Sequence, residues 1–215
     1  MTMKKKRVLL ADDHRIVLEG LRGLLESEFE VVGTVEDGRA LVIEAGRLRP
    51  DLVVADISMP TLNGIDAARQ IKKLDEGIRI VFLTMHADAG YAASAFEAGA
   101  SGFVLKHSAP QELITALREA VWGRTYVTPI IAGDLIDSIR QGRNSSNELQ
   151  VSLSPRQREV LQLLAEGKSA KDIASLLNIS ARTVEFHKYR MMEQLSIKTS
   201  AELIQHAVRC GLTSL

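Results

Sequence analysis

Acidic, hydroxyl and ammonium side chains stand in this sequence where short apolar runs end. Asp12 and Asp13 follow one such run, Asp56 follows a second, and Thr84 and Lys106 follow two more. Three carboxylates are suitable ligands for a hard cation such as Mg²⁺, and a hydroxyl and an ammonium suit the oxygens of a phosphoryl group. If the apolar runs are parallel strands, their carboxyl ends share one edge of a sheet. These side chains would then form a single phosphoryl-transfer site.

The alternation of apolar runs and helical patterns in the first half of the chain predicts an α/β domain. The predicted strands cover Arg7–Ala11, Glu30–Val35, Leu52–Ala55, Arg79–Leu83 and Gly102–Leu105. Apolar residues at helical spacing follow each run, and five β–α units predict a doubly wound, flavodoxin-like parallel sheet of order 2-1-3-4-5. This order places a crevice between the first and third strands, where Asp12, Asp13 and Asp56 stand.

The second half of the chain has the pattern of a linker followed by a small helical domain. Ile130 to Ile139 predict one more helix, and the polar stretch from Gln141 to Asn147 predicts a linker. Start and stop signals then predict four helices, which begin at Ser154-Pro155, cover Ala170–Leu177 and Ala181–Leu195, and run from Thr199 or Ser200 to Arg209. We therefore divide the chain into an α/β domain at 5–122, a linker with a helix at 123–150, and an all-α, four-helix domain with a helix-turn-helix at 151–215.

Composition and charge narrow the class of protein without identifying a partner. The chain has 215 residues, 46% of them hydrophobic, with 27 basic and 27 acidic side chains. Two modest domains fit this length, and the balanced charge by itself favours no partner. A single cysteine, Cys210, excludes an internal disulfide framework and fits the reducing cytoplasm. Because no apolar run approaches the ~20 residues of a membrane span, we expect a cytoplasmic protein without membrane contact.

Four motifs in the first half resemble those of a known domain. They are Leu-Leu-Ala-Asp-Asp-His, Val-Ala-Asp-Ile-Ser-Met-Pro, Phe-Leu-Thr-Met-His and Gly-Phe-Val-Leu-Lys. As a set they resemble the receiver domain of two-component response regulators, over about Lys5 to Val121. The resemblance implies that Asp56 accepts a phosphoryl group, that Mg²⁺ is the cofactor, and that a sensor histidine kinase supplies the phosphoryl group.

The metal ligands follow from the same resemblance. Asp13, Asp56 and the Ser58 carbonyl would bind Mg²⁺ directly, and Asp12 would act mainly through metal-bound water. The cation would offset clustered negative charge, which otherwise repels an incoming phosphoryl group. The residues after Asp56 form a loop rather than an immediate helix, which predicts an exposed carboxylate.

The resemblance also assigns roles to three residues on the later strands. Lys106 would pair with one phosphoryl oxygen, and Thr84 would donate a hydrogen bond to another. Phe103 stands where the family places its switch aromatic, although a buried strand residue is an equally ordinary interpretation. The chain departs from many receivers in having His107 after Lys106, where proline is common. The isomer of that peptide bond is therefore open at this stage.

Motifs in the helical domain resemble the LuxR-type DNA-binding domain, over about Leu153 to Leu212. They are Leu-Ser-Pro-Arg-Gln-Arg-Glu-Val-Leu, Lys-Ser-Ala-Lys-Asp-Ile-Ala and Asn-Ile-Ser-Ala-Arg-Thr-Val-Glu-Phe-His. A receiver joined to this domain resembles the NarL/FixJ family of transcriptional response regulators. The resemblance implies that the third helix enters the major groove of double-stranded DNA. The predicted DNA contacts are Lys171, Arg182, Thr183, Glu185, Phe186, Lys188, Tyr189 and Arg190.

Packing within the helical bundle is the alternative for part of this surface. Phe186 and Tyr189 are expected about equally to pack inside the bundle or to contact DNA, and Glu185 could simply face solvent. The last helix, Ala201 to Arg209, has apolar residues that could support a homodimer after phosphorylation, with receiver and linker masking them beforehand. The same residues could instead pack into the bundle.

Two other classes of protein share parts of this pattern. A metal-dependent phosphatase also uses an aspartate nucleophile at a strand end, but it usually has a second acid two residues later, where this chain has Ser58. A receiver could also drive an RNA-binding or protein-binding output. We expect a phosphorylation-dependent DNA-binding transcriptional regulator, and no enzyme activity beyond phosphoryl transfer to Asp56 and its slow loss.

Overall fold

The first domain is a parallel sheet covered on both faces by helices. The computed structural model describes residues 4–108, 110–140 and 153–213. Its strands are β1 (Arg7–Ala11), β2 (Glu30–Val35), β3 (Leu52–Ala55), β4 (Arg79–Thr84), β5 (Gly102–Leu105) and β6 (Tyr126–Val127). They form one sheet of order β2-β1-β3-β4-β5-β6, in which every pairing is parallel. The flavodoxin-like prediction is confirmed.

The sixth strand was not predicted. It has only two residues, which pair with Gly102 and Phe103 of β5. A two-residue strand leaves no alternating pattern that sequence inspection can detect. It extends the sheet by one edge position and leaves the predicted order of the first five strands unchanged.

Helices cover the sheet through two apolar clusters, one on each face. The helices are α1 (Arg15–Leu25), α2 (Gly38–Leu48), α3 (Gly64–Leu74), α4 (Ala89–Glu97), α5 (Pro110–Val121) and α6 (Pro129–Arg140). One cluster packs residues of α2, α3, α4 and α6 on the sheet, and the other packs residues of α1 and α5 on the opposite face. Every residue of β3 and β5 is buried, as expected for strands covered on both sides.

Strand register brings the polar strand ends together. Ala11 pairs with Ala55, so the next residues, Asp12 and Asp56, leave β1 and β3 side by side. On the other side of β3, the last residue of β4, Thr84, pairs with Leu105, and Lys106 follows. The strand register that buries the apolar residues in the core therefore also brings the polar residues together at one edge of the sheet.

The second domain is a bundle of four short helices, each begun by a hydroxyl cap. They are α7 (Pro155–Ala165), α8 (Ala170–Leu177), α9 (Ala181–Gln194) and α10 (Ser200–Arg209). The caps are Ser154, Ser169, Ser180 and Thr199, whose side chains accept backbone N–H groups of the first turn. Thr199 rather than Ser200 therefore caps the last helix. The apolar sides of the four helices form one core cluster.

Two features of the chain bear on the remaining predictions. The helix predicted from Ile130 to Ile139 is confirmed as α6, whereas the predicted linker, Gln141 to Asn147, lies outside the described residues. Within the described part of the chain, no helix is both long and apolar enough to cross a bilayer.

Candidate phosphoacceptor site and DNA-binding face

Lys106 bridges two buried carboxylates at the carboxyl edge of the sheet. Its Nζ lies 2.7 Å from Asp12 Oδ2 and 2.6 Å from Asp56 Oδ2. The backbone N–H of Lys106 donates to the Thr84 carbonyl at 2.8 Å, so pairing with β4 fixes where the lysine side chain begins. Four of the predicted site residues, from four different strands, thus meet in one place.

The charge state of Lys106 follows from its two partners. Burial alone would lower the pKa of Lys106, because it penalises the charged ammonium. Hydrogen bonds to Asp12 and Asp56, and the charges of these carboxylates, outweigh burial and raise the pKa of Lys106 above its ordinary value. The side chain is therefore an ammonium at neutral pH, which is the form that attracts phosphoryl oxygens.

The prediction that the Asp56 carboxylate is exposed is wrong. Asp56 is only 6% exposed, and its Oδ1 accepts the N–H of Ile57 at 2.6 Å. The loop after β3 folds back over the strand end, since the Gly64 N–H donates to the Ile57 carbonyl at 2.8 Å. A Cβ at position 64 would overlap the Asp56 carbonyl, so only glycine permits this approach. The sequence indicated a loop, but not that the loop covers its own first residue.

Asp13 stands beside Asp12, and His14 joins the pair. His14 Nδ1 lies 2.8 Å from Asp13 Oδ1 and 3.3 Å from Asp12 Oδ1. Among the described residues, Asp12, Asp13 and His14 are the group of three whose ligand atoms all lie within 4.8 Å of one another. Asp56 is not in this group; one of its oxygens faces Lys106 and the other accepts from Ile57. The neighbouring carboxylates have the oxygen chemistry that a hard cation prefers.

Ser58, Thr84 and His86 are linked on the other side of Asp56. Ser58 Oγ lies 2.7 Å from His86 Nε2, and the fully buried Thr84 hydroxyl accepts the His86 N–H at 3.2 Å. The His86 ring stacks on Tyr91, with 4.2 Å between ring centroids. Burial lowers the pKa of His86, which keeps the ring neutral at pH 7. The Ser58–His86 contact was missed because the two residues lie on different loops.

The structure places Phe103 of β5 and determines the isomer of the Lys106–His107 peptide bond after it. Phe103 is completely buried and faces Phe82 across the strand pairing, so the side chain lies inward in this structure. The described residues contain no cis peptide bond, and the Lys106–His107 bond is therefore trans.

The face of α9 that is predicted to contact DNA is exposed to solvent. Val184 and Met191 of this helix are buried in the bundle, whereas Phe186 is 59% and Tyr189 is 65% exposed. Packing of these two aromatic residues inside the bundle, one of the two expectations, is therefore wrong. Lys188 Nζ lies 3.9 Å from Glu185 Oε2 on the same face. Three further predicted DNA contacts are also exposed, namely Lys171, Arg182 and Arg190, and Thr183 is half-buried.

The last helix, α10, contributes part of its apolar surface to the bundle. Leu203 and Ala207 are buried in the bundle core. Ile204 and Val208 remain half-buried. For Leu203 and Ala207, packing within the bundle was the correct alternative.

Comparison with known families matches both parts of the chain. A family described as "Response regulator receiver domain" matches residues 8–118, and one described as "Bacterial regulatory proteins, luxR family" matches residues 151–207. The chain is a response regulator of the NarL/FixJ family. This response regulator is a DNA-binding transcriptional regulator, with a receiver domain followed by a LuxR-type domain.

Relatives match the response regulator along nearly its whole length. UvrY of Escherichia coli is 33% identical over 207 residues, which cover 95% of this chain and 94% of UvrY. MctR of Rhizobium johnstonii is 36% identical over 220 residues, covering 100% and 99% of the two chains. A structure of RcsB from Salmonella enterica serovar Typhimurium, bound to promoter P1flhDC with the phosphomimetic BeF3⁻, has a TM-score of 0.63 and 31% identity. It covers 96% of this chain and 100% of RcsB.

Proposed function

We propose that Asp56 of this response regulator accepts a phosphoryl group from a sensor histidine kinase, and that this event controls promoter binding. The observation that carries the proposal is the contact of one ammonium, Lys106, with both Asp12 and Asp56. A nucleophilic carboxylate, an acidic neighbour and a cation within one site are the parts that phosphoryl transfer requires.

The carboxylates of the site suit Mg²⁺. Asp12, Asp13, Asp56 and the Ser58 carbonyl would hold this ion, which supplies positive charge against carboxylates that otherwise repel an incoming phosphoryl group. An Asp56 oxygen forms a bond to phosphorus as the bond from phosphorus to the donor's histidine nitrogen breaks. Lys106, already beside Asp56, then pairs with a phosphoryl oxygen.

Two buried residues, Thr84 and Phe103, would transmit the conformational change that phosphorylation causes. The Thr84 hydroxyl, which accepts the His86 N–H, would donate to a phosphoryl oxygen, since the hydroxyl hydrogen can turn toward it. Phe103 is buried on the neighbouring strand, where it pairs with Phe82, two residues before Thr84, and would change position when Thr84 does. The affected surface is the face formed by α4, β5 and α5.

The DNA-binding domain presents α9 to the major groove of double-stranded DNA. Arg182 and Thr183 at the helix start, with Lys171, would hold phosphates. Glu185, Phe186 and Tyr189 would face the bases, and Lys188 and Arg190 would supply electrostatic attraction. RcsB has been solved as two dimers on two parallel DNAs, and we propose that the present regulator also binds DNA as a homodimer, through α10, once phosphorylated.

The regulator would act in the cytoplasm. A reduced Cys210 and a sensor kinase partner are both compatible with that compartment. The working division of the chain is a receiver at 5–122, a linker at 123–150 and a DNA-binding domain at 151–215. The proposed activity is that of a phosphoacceptor rather than of an enzyme with a separate substrate.

Labelling with a small phosphodonor tests the proposed site. With acetyl phosphate and Mg²⁺, the wild-type protein should gain one acid-labile phosphoryl group, measured by intact-protein mass. Asp56→Asn, which keeps the size of the side chain, should gain none, and EDTA should prevent the gain in the wild type. Undiminished labelling of Asp56→Asn would exclude Asp56 as the acceptor.

A further inference from the structure

The residue that precedes α6, Thr128, joins this helix to the end of β5. Thr128 is buried, and its backbone N–H donates to the Phe103 carbonyl at 3.0 Å. Its carbonyl accepts the N–H groups of Ile131 and Ala132, at 2.9 and 3.2 Å, in the first turn of α6. The position of Thr128 on β5 therefore determines where the first turn of α6 begins.

The hydroxyl of Thr128 bridges the end of β5 to α5. It accepts the N–H of Leu105, the last residue of β5, at 3.3 Å, and it donates to Glu112 Oε2 at 3.1 Å. A hydroxyl has one hydrogen to donate and two lone pairs to accept, so the bond to Glu112 orients the hydrogen and leaves the lone pairs available to β5. Every polar group of Thr128 thus has a partner, and the partners lie on three different elements.

Glu112 also holds the strand that leads to Thr128. The Tyr126 hydroxyl donates to the same carboxylate oxygen, Glu112 Oε2, at 3.3 Å. Burial and the negative charge of Glu112 raise the pKa of Tyr126, so the phenol remains protonated at neutral pH and can donate. One carboxylate oxygen therefore binds Tyr126 at the start of β6 and Thr128 just after its end.

The bonds of Thr128 lie next to the residues that are expected to respond to phosphorylation. Its two partners on β5 are Phe103, the predicted switch aromatic, and Leu105, which is followed directly by Lys106. The N–H of Lys106 donates to the Thr84 carbonyl at 2.8 Å, so β4 binds this end of β5 on one side and Thr128 binds it on the other. A shift of the end of β5 must therefore lengthen or reorient the bonds to Thr128.

Helix α6 has a second contact with the receiver, through α4. Ile131 is almost completely buried, in the apolar cluster that also contains Ala92 and Ala95 of α4. Leu135, one turn later, packs against the same cluster. Apolar contact is not directional, whereas hydrogen bonds require defined distances and angles. Apolar burial therefore keeps α6 on the receiver, and Thr128 determines its position relative to β5.

We propose that Thr128 couples the phosphorylation site to α6, because a movement of the end of β5 on phosphorylation of Asp56 changes the hydrogen bonds of Thr128 and thereby the first turn of α6. This inference rests on the proposed function, since it takes Asp56 as the acceptor. It extends the affected surface beyond α4, β5 and α5 to the helix before the predicted linker. Thr128 is a positioning residue, which acts through β5 and not on the reacting atoms. The DNA-binding domain follows α6 in the chain, so a change in α6 alters the point from which the chain leaves the receiver.

Substitutions of Thr128 separate the contacts of its hydroxyl from those of its backbone. Thr128→Val keeps the size and branching of the side chain but removes the bonds to Leu105 and Glu112. Thr128→Ser keeps the hydroxyl and should behave as wild type does. Thr115→Val is the matched control, because Thr115 is exposed on α5 and its hydroxyl donates to the Gln111 carbonyl within the same helix.

Amide hydrogen exchange of α6, followed by mass spectrometry, measures the response. The full-length proteins are compared before and after treatment with acetyl phosphate and Mg²⁺, at equal phosphoryl content by intact-protein mass. In wild type, Thr128→Ser and Thr115→Val, phosphorylation should speed exchange in the first turn of α6 by about fivefold or more, which is the lower end of ordinary coupling between sites. In Thr128→Val the change should be less than about twofold, and the gain in DNA affinity on phosphorylation should fall with it.

The outcomes distinguish this inference from the proposed function. Absence of a phosphoryl gain in wild type would overturn the proposed function, and the coupling with it. A phosphorylated wild type with unchanged exchange in α6 would overturn the coupling alone. An equal response in wild type and Thr128→Val would also overturn it, and would assign the response to the contact with α4. Should Thr128→Val fail to fold, Glu112→Met removes the acceptor that orients the Thr128 hydroxyl, and it should reduce the response in the same way.

Discussion

Lys106 Nζ lies at nearly the same distance from Asp12 and from Asp56, 2.7 and 2.6 Å, so one ammonium balances two buried carboxylates. The arrangement has a consequence for phosphoryl transfer. A phosphoryl group on Asp56 adds oxygens that compete for the same ammonium, and Lys106 must then change its partner. A lysine with three donors on a flexible stem suits this exchange better than a planar guanidinium would.

Lys106→Ala should destabilise the receiver. The substitution leaves Asp12 and Asp56 buried without a counter-charge, which typically costs about 3–5 kcal/mol. The free energy of unfolding, measured by urea denaturation in EDTA, should fall by about that amount, and Mg²⁺ should restore more stability to the variant than it adds to wild type. Equal Mg²⁺ effects on both proteins would show that the ion does not share the carboxylates with Lys106.

Thr84→Ala should permit phosphorylation but reduce the gain in DNA affinity that follows it. The hydroxyl accepts the His86 N–H, and the variant keeps the Asp56 carboxylate, so labelling by acetyl phosphate should persist. The gain in DNA affinity on phosphorylation, measured by fluorescence anisotropy, should be strongly reduced. Thr84→Ser, which keeps the hydroxyl, is the control. A full phosphorylation-dependent gain in both Thr84→Ala and Lys106→Ala would remove these residues from the signalling route.

Substitutions on α9 should distinguish base contacts from phosphate contacts. A carboxylate at Glu185 can accept from a cytosine amino group, so Glu185→Ala should relax sequence preference at one position by about 1–3 kcal/mol of discrimination. Lys188→Ala should instead weaken binding to all sequences alike and flatten its salt dependence. Binding-site selection with both variants makes the comparison. An unchanged motif and affinity in Glu185→Ala would place this residue off the reading surface.

The phosphorylated regulator should protect two inverted half-sites. Two-fold symmetry of a homodimer requires that arrangement on DNA. Footprinting at saturation, before and after phosphorylation, should show paired protection only after phosphorylation. Single, unpaired half-sites at saturating protein would argue for a monomer.

The sequence predicted well that polar strand ends meet at one edge of the sheet, because strand ends and apolar runs are strong local signals. Asp12, Asp56, Thr84 and Lys106 meet as expected, since each follows a strand whose register is determined by a core buried on both faces. Caps were predicted for the first and last helices of the second domain, at Ser154 and at Thr199 or Ser200, because a hydroxyl side chain before a helix can accept a backbone N–H of its first turn. Ser169 and Ser180, which cap the two helices between them, were not predicted as caps.

Long-range contacts of polar side chains could not be predicted from the sequence. The Ser58–His86 contact joins two loops, and the burial of Asp56 depends on the return of Gly64 over the strand end. The sequence analysis made no prediction for the polar side of α7, where Gln162 is completely buried. A polar residue on a helix is compatible with water or with a polar interface, and only the tertiary arrangement decides between them.

Phosphorylation of Asp56 is proposed to control DNA binding. The most direct test measures the dissociation constant for a selected promoter fragment, at fixed salt, before and after treatment with acetyl phosphate and Mg²⁺, in wild type and in Asp56→Asn. We predict that treatment tightens binding by wild type at least about tenfold, which corresponds to about 1.4 kcal/mol, and leaves Asp56→Asn unchanged. Equal tightening in both proteins, or none in a wild-type protein confirmed as phosphorylated, would contradict the account.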